Sequence, residues 1–175
     1  MARKSLSVLR VARTHGRRGI LRAGPLALIV ALGKSGIRAN KFEGDGATPR
    51  GRFHLVRLWW RADRLPRPPS LLPTRRIRPD DAWCEDPADR NYNRPVKLSR
   101  GDAADRLWRD DHLYDLVIEL DHNRRPRIAG RGSAVFIHVA RAGLLPTAGC
   151  IALAAPALRR LLPRLSVKTV IQIGD

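Results

Sequence analysis

Acidic residues are scarce in this chain of 175: 16 Asp and Glu stand against 34 Lys and Arg, for a formal net charge of +18. Such an excess attracts polyanions, whether nucleic acid, anionic lipid or an anionic wall polymer. An arginine-biased composition would also produce it, since 29 of the basic residues are arginine. Aromatic residues, at 5%, leave little with which to stack bases, and no familiar nucleic-acid motif is present. Binding to nucleic acid is therefore expected to be non-specific and to collapse with added salt. Cysteine is nearly missing. Cys84 and Cys150 lie far apart, in no metal-ligand spacing, and indicate no disulfide framework. The five histidines are scattered, with no His-Glu-x-x-His helix, so no metal is expected. Long apolar runs are lacking too. Leu26 to Leu32 is too short to span a membrane, and no small-x-small cleavage site follows it in Gly33-Lys34-Ser35-Gly36-Ile37-Arg38. The run reads as a buried strand, and no clear signal peptide is present.

What is there points to one domain over residues 1–175. Its hydrophobic share of 43% suits a globular core of that length. Short β-compatible runs at 5–12, 26–32, 52–58, 114–120 and 167–173 are separated by Gly, Asn, Asp and Pro. Residues 133–140, apolar on both faces, predict an interior strand with His138 near its end. Two helical stretches are expected, a short one around 103–109 and one from Ala155, with Pro156 in its first turn and Leu158, Leu161 and Leu162 on one face. The fold class is mainly β with a few short helices. Residues 63–102, rich in Pro, Arg and Asp, read as a long irregular loop and hence as a binding element or lid.

The chemistry concentrates in Thr147-Ala148-Gly149-Cys150. A nucleophilic cysteine needs a rigid turn and a neighbouring base. Gly149 allows unusual backbone geometry and close approach of a carbonyl, and Thr147 can hydrogen-bond locally. His138 ends a strand from which a returning loop reaches Cys150, making it the candidate general base. No Asp or Glu lies between the two, so a backbone carbonyl, at Gly149 or a neighbour in the same turn, is expected to fix the imidazole tautomer. Glu43 to Gly51 holds three glycines and a proline in a shaped loop, without the Gly-Lys-Ser/Thr ending of a phosphate loop. Arg131, flanked by Gly130 and Gly132, is a candidate clamp for a substrate carboxylate if those glycines fold the segment back. On an extended strand its backbone would lie about 23 Å from that of His138. Tyr114, Tyr92 and Arg94 are the next candidates for substrate binding.

Three parts, Glu43-Gly44-Asp45-Gly46-Ala47-Thr48-Pro49-Arg50-Gly51-Arg52-Phe53, Ile137-His138 and Thr147-Ala148-Gly149-Cys150-Ile151-Ala152-Leu153, occur in the order found in the L,D-transpeptidase (YkuD-type) catalytic domain family. The chain resembles that family from about Leu6 to Ile173. It departs in carrying Ala148 where a histidine is common and in a shorter gap between His138 and Cys150. The resemblance implies a β-sandwich-like domain of the periplasm or cell envelope that needs no cofactor. It implies that Cys150 attacks the diaminopimelate–D-Ala bond of a peptidoglycan stem peptide and that the acyl group passes to an amine. Backbone N–H groups from Ala148 to Cys150 would form the oxyanion hole, Thr147 and Ala148 would shape the substrate site, and carbapenem-type inhibitors would acylate Cys150. Hydrolysis by water, as in a carboxypeptidase or amidase, and a basic nucleic-acid-binding domain are the alternatives.

Overall fold

The computed structural model describes residues 5–99 and 104–174. Among the described residues fourteen strands follow in chain order: β1 (Val8–Arg13), β2 (Arg18–Ala23), β3 (Leu26–Ala31), β4 (Ile37–Arg38), β5 (Thr48–Pro49), β6 (Gly51–Trp60), β7 (Thr74–Arg76), β8 (Asp81–Trp83), β9 (Pro95–Lys97), β10 (Asp105–Arg106), β11 (Leu116–Leu120), β12 (Phe136–Val139), β13 (Ile151–Leu153) and β14 (Val170–Ile173). One α-helix, α1 (Ala155–Leu161), precedes β14, with Pro156 in its first turn.

The main sheet runs β11-β12-β13-β3-β2-β1-β14-β6-β7, and β11 also pairs with β6. That second pairing closes the sandwich into a ring. A strand has two edges, and β6 serves three partners by dividing its length. Gly51–His54 pair with β14, Leu58–Trp60 with β7, and Leu55–Trp60 with β11. Closure removes the exposed edges that an open sheet would leave.

Alternation along the strands sorts side chains to two faces. Leu58, Ile118, Ile137 and Ile151 stand in one cross-strand row and join Leu9, Leu21, Ile171 and the α1 residues Leu158 and Leu161 in the interior core. The adjoining row, Trp59, Val117 and His138, faces outward. It is covered by Ile77, Trp83, Leu107 and Tyr114, which form a second core with Phe136 and Cys150. The reactive side chains therefore sit on the outer face of the ring, under a cover supplied by the chain between β6 and β11.

That cover is more ordered than the loop expected at 63–102. It contains β7 and a separate three-stranded sheet in the order β10-β8-β9. The helix expected around 103–109 is not formed in its described part. Asp105–Arg106 pair instead with β8, because a neighbouring strand edge satisfies their backbone groups, while residue 103 lies outside the described residues. The run from Leu26 is a strand, but only its end is fully buried, and Ile29 is 58% exposed. The segments Arg18–Ala23 and Ile151–Leu153, not singled out from the sequence, are strands as well. They are short, and Gly19 and the Cys150 turn obscure their pattern.

Packing of the interior core should dominate stability. Ile171→Ala, at a fully buried site on β14, is expected to cost about 2–5 kcal/mol in chemical denaturation. Val167→Ala, at a site 48% exposed, should cost less than about 1 kcal/mol.

Candidate active site

Cys150 immediately precedes β13, and His138 lies on β12. The two strands run parallel, with Ile137 opposite Ile151 and His138 opposite Ala152. Residues two apart share a face, so Cys150, Ala152, Phe136 and His138 all point outward. Cys150 and His138 are then offset by two residues on neighbouring strands. Their Cα atoms are roughly 8 Å apart by ideal strand spacing.

The cysteine turn is clamped through its carbonyl. Cys150 O accepts hydrogen bonds from Thr147 Oγ1 (2.7 Å) and from Thr48 Oγ1 (3.2 Å). Thr48 is fully buried and also accepts from the Gly33 N–H at 2.8 Å. Thr147 is fixed by backbone bonds to Leu32 and Lys34. Gly149 has φ +147°, and a Cβ there would meet Ala47 O at 2.9 Å. Only glycine lets the two loops approach so closely. Asp45 braces the loop by accepting from the N–H groups of Phe42 (3.1 Å) and Ala47 (2.8 Å) and from Lys41 Nζ. Burial raises its pKa, but these bonds outweigh it and hold Asp45 below the usual carboxylate value.

Both reactive groups are neutral at rest. The Cys150 Sγ–H donates to Ala134 O (3.2 Å), and the Phe136 N–H reaches Sγ at 3.4 Å. Burial pushes the thiol up to about 12, against the pull of that N–H. Burial also drives His138 down to about 4, with Arg109 adding to the effect and the bond to Val139 opposing it. His138 Nδ1 lies 2.8 Å from Val139 O. A carbonyl only accepts, so Nδ1 carries the proton and Nε2 keeps a free lone pair. The orienting acceptor is thus the next residue on the same strand, not Gly149 or its turn. A ring on a strand end can fold back on its own chain more readily than across to a loop.

Ala134, whose carbonyl takes the thiol proton, is itself held in an unusual conformation. Its φ is +50°, rare for a residue with a Cβ. Its N–H donates to Asn93 Oδ1 (3.2 Å), which also accepts from Trp83 Nε1 (3.0 Å). The Asn93 amide donates to the carbonyls of His122 (3.1 Å) and Asn123 (2.9 Å). Asn93 thereby ties the covering segment to the peptide that positions Cys150. Nothing in the sequence marks it among the asparagines; its tolerance of φ +54° is the one physical hint.

A cavity of about 590 Å³ opens over Cys150 and His138. Thr147, Ala148, Gly149 and Tyr114 line it as well. Tyr114 packs edge-on to the His138 ring, centroids 5.4 Å apart, and donates to Asp105 Oδ2 at 2.9 Å. Arg131 does not line it. Gly130 and Gly132 do take positive φ and bend the segment, yet the Arg131 side chain is exposed and its carbonyl faces His122 Nε2 at 3.1 Å. Tyr92 donates to Glu43 at the cavity's edge, and Arg94 stands elsewhere. The charged lining is instead Lys34, Lys41, Arg109 and Arg141 against Glu43, Glu85 and Asp105. Glu85 is exposed at the rim, yet desolvation and the nearby Asp105 and Glu43 carboxylates push it up to about 7. These groups come from separate loops, and no sequence spacing links them.

The buried neutral imidazole has a thermodynamic consequence. An unfolded histidine titrates near 6.5 and His138 near 4, so in that window the unfolded chain binds a proton that the folded chain does not. Its contribution is complete above 6.5 and is lost as pH falls toward 4. The stability advantage of wild type over His138→Gln, measured by urea unfolding, should be constant above that window and shrink by on the order of 3 kcal/mol across it. A pH-independent difference would show that the ring is not held neutral.

The family model described as YkuD, the L,D-transpeptidase catalytic domain, matches residues 8–173. Comparison with curated proteins and with solved structures returns no match. The match spans nearly the whole chain and takes in the clamped cysteine turn, the histidine strand and the loop that joins them. The chain belongs to the L,D-transpeptidase catalytic domain family.

Proposed function

We propose that this domain is a peptidoglycan L,D-transpeptidase in which Cys150 is the nucleophile and His138 the general base. The observation that supports this best is the placing of a buried thiol and a neutral imidazole on one outward face of adjacent parallel strands, under a single cavity. The donor would be a stem peptide in the cell envelope, cut at the bond between diaminopimelate and the following D-Ala.

The proposed sequence begins with a proton shift. As Sγ attacks the carbonyl carbon, its proton leaves Ala134 O for His138 Nε2. Thiolate formation and attack are then a single event, because a thiol near 12 and an imidazole near 4 do not form an ion pair beforehand. The Phe136 N–H at 3.4 Å eases the charge on sulfur. Because the Gly149 N–H is bonded to Thr147 Oγ1 (3.1 Å), the oxyanion donors in this reading are the Ala148 and Cys150 N–H groups. Collapse of the adduct breaks the C–N bond, and the His138 proton passes to the departing D-Ala amine. A thioester on Cys150 remains. An acceptor amine attacks it and loses a proton to His138, giving the new amide and the free thiol. Tyr114 and Arg109, both on the cavity wall, are the proposed substrate contacts.

Incubation with purified muropeptides and mass analysis tests the reaction. Loss of D-Ala with a new amide is expected for wild type, and loss of D-Ala with addition of water would identify a carboxypeptidase. Cys150→Ser should abolish both products, while Cys84→Ala should retain most activity. A carbapenem should add one equivalent to Cys150, and labelling at Cys84 would overturn the assignment.

The pH profile tests the base. Free-enzyme kcat/KM follows the protonation of His138, so its acid limb should fall near 4 rather than near 6.5. His138→Ala should lower the acylation rate by about 10² to 10⁴. An acid limb at the ordinary histidine value would mean that another group, or a solvated ring, is the base.

A further inference from the structure

A second hollow, of about 250 Å³, shares no lining residue with the catalytic cavity. Arg57, Arg94, Arg124 and Arg127 converge on it with one carboxylate, Glu119. We infer that this hollow is a binding site for a multiply charged oxyanion, a phosphoryl group or clustered carboxylates.

The argument is one of uncompensated charge. Glu119 is buried and already engaged. It accepts from Trp59 Nε1 at 3.2 Å and lies 3.1 Å from Arg57 Nε, directly across the β6–β11 pairing. Its ion-pair contact among the described residues is with Arg57, and Arg124 and Arg75 act on it only at longer range. Burial is the main influence that lowers the pKa of His122, which also lines the hollow. Among the described residues Arg94, Arg124 and Arg127 have no carboxylate within ion-pair distance. Arg61, Arg64, Arg75 and Arg109, by contrast, all have one.

A buried donor atom reinforces the point. Among the described residues the Nε atom of Arg127 is shielded from solvent and makes no hydrogen bond. Leaving such a donor unmet is unfavourable. Burial lowers the pKa of Arg127, and the neighbouring charges of Arg94 and Arg124 lower it further. A planar guanidinium presents paired N–H groups that match phosphate or carboxylate oxygens in two-point geometry. An oxyanion in the hollow would relieve the repulsion and supply an acceptor for Arg127 together.

Calorimetric titration of pyrophosphate at fixed ionic strength tests the site. Wild type should bind one equivalent saturably. Arg124→Gln and Arg127→Gln should each weaken binding about tenfold, as expected on losing one charge-assisted contact. Arg10→Gln and Arg22→Gln, at exposed positions on β1 and β2, should leave it unchanged. If either lining variant fails to fold, the exposed Arg94→Gln provides the same measurement. Citrate at equal concentration separates the sources. Tighter binding of pyrophosphate supports a phosphoryl ligand, and citrate binding as tight or tighter supports carboxylates of a stem peptide. Unsaturable uptake, or equal loss in the control variants, would reduce the effect to diffuse attraction by the net charge and overturn the site. Cys150→Ser should bind as wild type does, so the outcome is independent of the proposed transpeptidase activity.

Discussion

The site depends on what happens to one carbonyl, that of Cys150. Two threonines from distant parts of the chain donate to it, Thr147 from within the turn and Thr48 from β5. Their convergence requires the two backbones to run almost in contact, and Gly149 is the residue that permits it. Gly33 meets the same demand from the other side, where a Cβ would come within 2.4 Å of Gly46 O. The glycine-rich loop is thus a bracket for the cysteine turn, and Glu43, Gly44 and Gly46 also line the cavity beside it. With the carbonyl pinned, the sulfur has little freedom and projects onto the outer face of β12 and β13.

Burial then determines the chemistry available. Both Cys150 and His138 are removed from water by Tyr114, Phe136 and the covering segment. Desolvation favours the neutral form of each, which is why the thiol rises and the imidazole falls. A standing thiolate beside an imidazolium would be more reactive, but it would also be open to oxidation and alkylation. Here the thiol hydrogen bonds to Ala134 O instead. In the proposed reaction such a site would exchange resting reactivity for selectivity, because attack would need an electrophile already placed in the cavity.

The parts of this site that were legible in the sequence are those in which one residue type performs a task few others can. A glycine before a cysteine, a histidine ending an apolar strand, and a Gly/Pro-rich loop are local chemical signatures, and the order of the three pointed to the family. The interior strand expected at 133–140 was legible in its centre, being apolar on both faces, but the strand itself is only Phe136–Val139, because Ala134 takes a positive φ. The cover was not. Its strands β8, β9 and β10 are two or three residues long, below the length at which alternation can be read. Asn93 works through four hydrogen bonds to remote residues, and the acceptor for His138 is its own neighbour's carbonyl. A carbonyl is common to every residue, so no spacing could reveal it. Arg131 shows the converse error. The flanking glycines do bend the chain, but a bend does not fix the direction of the side chain.

The same distinction bears on the excess of positive charge. Composition alone suggested one diffuse property, yet the structure divides the arginines into groups with different surroundings. Arg61, Arg64 and Arg109 are tied to aspartates of the covering segment and help to hold it in place. Arg109 also lines the cavity over Cys150, where it faces Asp105 and the Tyr114 ring. A third group gathers around the hollow beside Glu119, where carboxylates are too few to balance it. Trp83 and Asn93 form part of that hollow's wall. Trp83 packs edge-on against Phe136, and Asn93 holds the Ala134 peptide. Both of these neighbours touch the thiol of Cys150. The charge around the hollow is therefore separated from the Cys150 thiol by a single layer of packed and hydrogen-bonded groups. The cover holds the surroundings of Cys150 from one side and on the other adds Arg94 to the arginines of β6 and of the segment after β11.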